Sequence, residues 1–216
     1  IGAEYNWGDN GWQSGHVRVY EYNNGDWNQV GSDIDGEAAG DHSGRMVSLD
    51  SDGSHVAIGA YLNDGSGSDA GHVRVYEYNN GDWNQVGNDI DGEITGDGSG
   101  ISVSLSSSGT IVVIGASGND GNGSGSGHVR AYEYSDGNWV QIGSDIDGEA
   151  AGDGLGISVS ISADGSHVSM GAPSNDGNGS EAGHVRVYSL NNITTNVPQT
   201  YVPDDNFEAY LEANGM

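Results

Sequence analysis

Acidic side chains are the residues of this sequence best placed to do chemistry, and they come in a repeating order. Asp33, Asp35 and Glu37 are followed by Asp41; Asp89, Asp91 and Glu93 by Asp97; Asp145, Asp147 and Glu149 by Asp153. Four carboxylates within nine residues call for a cation, an arginine or open water. A second series of segments, Asn63-Asp64-Gly65 with Asp69, Asn119-Asp120-Gly121 and Asn175-Asp176-Gly177, supplies hard oxygen ligands and glycine turns of the kind Ca²⁺ prefers. Calcium is therefore a candidate at both places, with Asp64, Asp69, Asp120 and Asp176 as the loop ligands. The alternative for both is turn-forming Asp and Asn, whose side chains bond the nearby backbone.

Histidine offers less. His16, His72, His128 and His184 stand 56 residues apart, so they are spread over successive units and read as packing residues, not converging ligands. His42, His55 and His167 fall outside this column and read as surface residues. Four of the five arginines, Arg18, Arg74, Arg130 and Arg186, also share one column. They read as partners of neighbouring carboxylates that fix unit against unit, or as a ring for a ligand. Catalysis needs groups that break the repeat. Apart from the tail, only the stretch Glu4 to Ser14, with Trp7 and Trp12, does so, and it contains no recognisable triad or acid pair. The expectation is that the chain is not an enzyme.

The elements that must position these groups follow from the repeat. Trp27, Trp83 and Trp139 keep the same spacing of 56 as the histidines. Each unit reads as four strands: 46–49, then 55–60 after an Asp-Gly turn, then 72–78 after a Gly- and Asn-rich loop, then 83 to about 90 after the turn Asn79-Asn80-Gly81-Asp82. Short hairpin-linked strands repeated at this period predict an all-β propeller, each blade a four-stranded antiparallel sheet. Glycine content (39 residues) and the lack of a 3.6-residue apolar period exclude a helical solenoid. Units break near 45, 101 and 157. The chain enters in the second strand of a blade, since Ile1-Gly2-Ala3 matches Ile58-Gly59-Ala60, so residues 1–190 hold about 3.5 blades. The rest of the ring is expected from a longer polypeptide or from a second copy. Residues 191–200 read as a linker and 201–216 as a short helix that begins a following domain.

Composition narrows the partners. Thirty-two acidic residues against five basic ones give a net charge of −27, which repels nucleic acid and anionic membrane surfaces. There is no cysteine, hence no disulfide and no thiolate metal site. No apolar run approaches the length of a membrane span.

With these columns in view, the segments Asp97 to Ala116 and Asp153 to Ala172, which run Gly-x-Ser-Val-Ser and then reach Gly-Ala, resemble the FG-GAP repeat of integrin-α-like propellers of bacterial secreted type. Gly171-Ala172-Pro173 repeats the end of that motif, while its Phe-Gly opening is altered to Ser43-Gly44, Ser99-Gly100 and Leu155-Gly156. The tail from Tyr201 to Gly215 resembles the lead-in to leucine-rich repeats of bacterial surface proteins. The resemblance implies a non-catalytic, extracellular or cell-surface adhesion module, possible calcium in the loops between strands two and three, and an extracellular protein or glycan ligand. A structural spacer and an accessory domain of a secreted hydrolase are the alternatives.

Overall fold

The computed structural model describes residues 1–190; the expected linker and C-terminal helix lie outside them. Four antiparallel sheets follow one another along the chain. The first holds β1 (Gly2–Ala3), β2 (His16–Asn23) and β3 (Asp26–Asp35). The second holds β4 (Met46–Leu49), β5 (His55–Ala60), β6 (His72–Asn79), β7 (Asp82–Gln85) and the short β8 (Ile90–Asp91). The third repeats this with β9 (Ser102–Leu105), β10 (Ile111–Ala116), β11 (His128–Ser135), β12 (Asn138–Gln141) and β13 (Ile146–Asp147). The fourth holds β14 (Ser158–Ile161), β15 (His167–Ala172) and β16 (His184–Ser189). The propeller expectation is met, and the strand boundaries agree with the repeat columns.

One detail differs. The fourth strand of the middle blades is broken: β7 and β8 both pair with β6, and β12 and β13 both pair with β11. The break falls at Gly87 and Gly143, each with φ of +72°. At Gly87 the next blade comes into close contact. The Trp139 ring of the next blade lies where a Cβ on Gly87 would be, only 2.9 Å away, and the Trp139 indole donates to the Val86 carbonyl at 2.8 Å. Trp83 seats on Gly31 and Val30 in the same way.

The core lies between sheets, because both faces of a blade are covered. Val17, Val19 and Ile34 meet Val56, Ile58 and Trp83; Val73, Val75 and Ile90 meet Val112, Ile114 and Trp139. At the hub, first strands are close enough for serine to join them. Ser48 Oγ accepts from the Leu105 amide at 3.0 Å, and Ser104 Oγ from the Ile161 amide at 3.2 Å. This is a physical reason for the alternating Ser-Val-Ser pattern of those strands.

Antiparallel order places the connections from second to third strand, and from fourth strand to the next blade, at one end of the sheets. The hairpins lie at the other end. All the repeated acidic segments are therefore at the end with the long loops.

Candidate functional site

That long-loop end is held together by a buried Asp–Asn pair at each of the three blade junctions. Asp97 Oδ2 accepts from the amides of Glu93 and Ile94, and its Oδ1 from Asn119 Nδ2 at 3.2 Å. Asn119 Oδ1 in turn accepts from the Gly121 amide at 2.8 Å. Asp41 with Asn63 and Asp153 with Asn175 repeat the arrangement. Asp64, Asp120 and Asp176 cap their loops by accepting from the amides of Asp69, Gly125 and Glu181. Asp69 itself sits at φ +53° in the loop that Asp64 caps.

The remaining carboxylates go to the blade junctions. Asp33 takes a two-pronged contact from Arg18 at 2.8 and 2.7 Å. That hydrogen bonding pulls its pKa down to about 2. Asp89 is pushed up by burial, but the Arg74 and Gln85 hydrogen bonds outweigh this and leave it lowered. Asp145 accepts from Gln141 at 2.7 Å. Asp91 and Asp147 contribute their backbone carbonyls, which accept from Arg130 and Arg186 at 2.8 Å. Asp35 pairs with His16 across the first sheet. Glu37, Glu93 and Glu149 reach from one blade to the His and Arg of the next: Glu37 contacts Arg74, and Glu149 contacts Arg186 at 2.7 Å.

Two of these junctions gather groups able to hold a metal: Glu37, His72 and Asp89, and Glu93, His128 and Asp145. The carboxylates of one sequence segment thus do not converge on one another. Glu37 and Asp33 serve neighbouring junctions, and Asp41 caps a turn. Sequence reasoning had the acids but assigned the histidines to packing alone. Burial first, and the adjacent arginine second, lower the pKa of His72 and His128 and keep both imidazoles neutral at pH 7.

A different cluster does not repeat. At the first junction, Glu4 Oε1 accepts from Arg45 Nη1 at 3.0 Å, and its Oε2 faces His42 Nδ1 at 3.9 Å. Neither Oε2 nor Nδ1 is solvent-exposed or hydrogen-bonded. The His42 ring stands edge-on between Tyr5 and Tyr61, at 5.1 and 5.7 Å, and the Arg45 guanidinium lies 6.0 Å above Tyr61. Arg45 immediately precedes β4, the innermost strand of its blade. His42 is buried, which corrects its expected place on the surface, and it adopts φ of +56°. The other blades have Gly98 and Gly154 at this position, and Ile101 and Ile157 at that of Arg45. The departure from the repeat was the available signal.

On the opposite end, His55 Nδ1 lies 2.8 Å from Asp50 and 3.0 Å from Ser54. One ring nitrogen facing both groups cannot relay a proton between them, so this is a hairpin cap and not a nucleophile triad.

No family model matches the chain, and no curated protein matches it in sequence. Solved structures do. A candidate 6-phosphogluconolactonase from Bacteroides uniformis aligns at 14% identity with a TM-score of 0.55, over 87% of this chain and 47% of that one. The periplasmic gluconolactonase PpgL of Pseudomonas aeruginosa aligns at 15% identity with a TM-score of 0.52, over 91% of this chain and 51% of that one. At such identity the likeness establishes the architecture, and the chain spans about half the length of either protein. It also corrects two expectations. The two solved propellers described carry lactonase names, not those of FG-GAP or integrin-like repeat proteins, and the non-catalytic adhesion reading drawn from that kinship falls with it. Among the described residues no helix is long and apolar enough to cross a membrane.

Proposed function

We propose that the chain belongs to a propeller hydrolase that opens lactone rings, with Glu4 and His42 handling the proton. The observation that carries this reading is the Glu4–His42–Arg45 cluster, which breaks an otherwise regular repeat. Glu4, fixed by Arg45, faces His42 Nδ1 and sets the proton on that nitrogen, leaving Nε2 to act on water. Hydrogen bonds of this kind are often long before substrate is bound, which accommodates the 3.9 Å separation. His42 Nε2 takes a proton as water attacks the ring carbonyl. The tetrahedral oxyanion then collapses with cleavage of the ring C–O bond, and Nε2 returns the proton to the leaving alkoxide, giving a hydroxy acid. Arg45 has further donors on its half-exposed guanidinium for an anionic substrate group.

The substrate class is supported by the names of the two similar propellers. The test is acid release from gluconolactone against its spontaneous opening. A rate no faster than spontaneous, or one unaltered in His42→Gly, removes the proposal. A periplasmic or secreted location goes with it, supported by the periplasmic protein of similar fold and checked by cell fractionation. Calcium keeps a place at the exposed carboxylates of Asp64, Asp120 and Asp176; thermal unfolding unchanged by EGTA excludes it.

The ring is completed, in this proposal, by a second copy of the chain. A cavity of about 430 Å³ opens between the first and second blades beside Ile1, Val17, Trp27, Val47 and Leu49. Trp27 is 68% exposed there, whereas Trp83 in the same column is 9% exposed. Val185, on the fourth blade, is exposed while its counterparts Val73 and Val129 are buried. Light scattering tests this: a dimer supports it, and a folded monomer assigns these faces to other blades of a longer polypeptide.

A further inference from the structure

We propose that Glu93, His128 and Asp145 form a binding site for a zinc-type divalent cation, independent of the hydrolytic cluster. One donor atom from each of the three lies within 4.8 Å of the others. His128 is 1% exposed, and neither of its ring nitrogens has a hydrogen-bond partner, although Nδ1 faces Glu93 at 3.8 Å. A neutral imidazole enclosed without a partner beside two carboxylates is a ligand awaiting an acceptor of its lone pair.

The repeat supplies its own comparison. At the preceding junction Arg74 forks onto both oxygens of Asp89 and also contacts Glu37, so the guanidinium already fills the place a cation would take. At the following junction Arg186 holds Glu149 at 2.7 Å. In the middle junction Arg130 donates to the Asp91 carbonyl at 2.8 Å, as Arg186 does to that of Asp147, but stays 3.6 Å from Glu93. Asp145 is left with Gln141 on one oxygen, and its other oxygen has no protein donor. Two carboxylates and one guanidinium sum to a single negative charge, and the arginine does not bridge the acids.

The donor set selects the ion. One imidazole nitrogen with two carboxylate oxygens supplies three ligands of the N and O types that zinc takes, the number open zinc sites use, with a position left for water. Calcium takes six to eight oxygens and has no preference for imidazole. Binding here would tie the second blade to the third, since Glu93 follows β8 while His128 and Asp145 belong to the third sheet.

Cobalt(II) serves as the probe, because its visible absorption reports nitrogen and oxygen ligation directly. The full chain is expected to bind one equivalent, with zinc displacing cobalt and millimolar calcium failing to do so. Asp145→Asn and Glu93→Gln should each weaken binding at least tenfold, and His128→Ala should abolish the nitrogen-dependent spectrum. Asp145→Asn keeps the shape of a half-buried side chain and covers the case in which His128→Ala does not fold. Glu37→Gln, at the arginine-filled junction, should leave the affinity unaltered. No stoichiometric cobalt binding, displacement by calcium at equal concentration, or equal loss in Glu37→Gln and Glu93→Gln overturns the proposal.

Discussion

The indole of Trp139 donates a 2.8 Å hydrogen bond to the carbonyl of Val86 in the preceding blade, with its ring against the Cα of Gly87. The contact explains why glycine stands at that position. A ring can approach a backbone so closely only where there is no Cβ, and φ of +72° turns the Val86 carbonyl toward the indole.

Gly87→Ala should therefore destabilise by about 1–3 kcal/mol, from the left-handed backbone and from overpacking together. Trp139→Ala should cost ~3–5 kcal/mol as a large buried residue is lost. Trp27→Ala should stay within about 0.5 kcal/mol in the isolated chain, because the ring is exposed, while weakening self-association. Urea unfolding and light scattering read the three outcomes.

His42→Gly separates activity from stability. The other blades carry glycine here at φ of +62° and +65°, so the substitution returns the position to the residue its backbone suits. Relief of left-handed strain is worth about 1–2 kcal/mol and offsets the lost packing between Tyr5 and Tyr61. Thermal unfolding should change little, whereas lactone opening should fall by roughly 10²–10⁴-fold, the usual contribution of a general base. Glu4→Gln should lower the rate and shift its pH profile.

Acid should destabilise the protein in two stages. Burial lowers the His72 and His128 pKa values below 6.5 in the folded chain. The unfolded chain then binds more protons, so stability present above pH 6.5 is lost as pH falls from there toward the folded values. Asp89 is lowered from 3.8 by its Arg74 pairing, so its contribution is lost only below about pH 4. His72→Gln and His128→Gln together should flatten the first stage in denaturant titrations at pH 5 to 7, and leave the second.

Salt should act in the opposite direction to its usual effect on ion pairs. With a net charge of −27, self-repulsion between blades outweighs the few exposed arginine contacts. Raising sodium chloride from about 10 mM to about 1 M, which shortens the screening length from ~30 to ~3 Å, should raise the unfolding temperature.

Asp97→Ala should be among the most damaging polar changes. Its carboxylate accepts from two amides and from Asn119 while fully buried, and its removal leaves those donors enclosed without partners. The expected cost is ~2–4 kcal/mol, a sum of donors left unsatisfied at about 1–3 kcal/mol each and partly relieved by water entry. Amide hydrogen exchange at Glu93 and Ile94 should locate the loss.

Much of the architecture was legible before any coordinates. Columns spaced by 56 residues placed every main strand, because hairpin turns and alternating apolar residues are local signals. The break of the fourth strand was not legible, since Gly87 is constrained by Trp139, a residue 52 positions away on another blade. The acids show the same division. Asp33, Asp35, Glu37 and Asp41 look like one ligand set along the chain, yet strand direction and blade boundaries send them to different partners. His42 looked like a stray surface residue because its neighbours Tyr5 and Tyr61 come from different blades.

By itself, then, the amino-acid order determined a β-repeat with acidic loops at one end of every blade, since period, turn chemistry and charge are properties of the chain read locally. Only the tertiary structure decided which carboxylates are turn caps, which are arginine partners and which stand beside an unpartnered imidazole. Those roles depend on distances of a few ångströms between segments of adjacent blades, and a repeat that makes the segments alike cannot by itself reveal where one junction differs from the next.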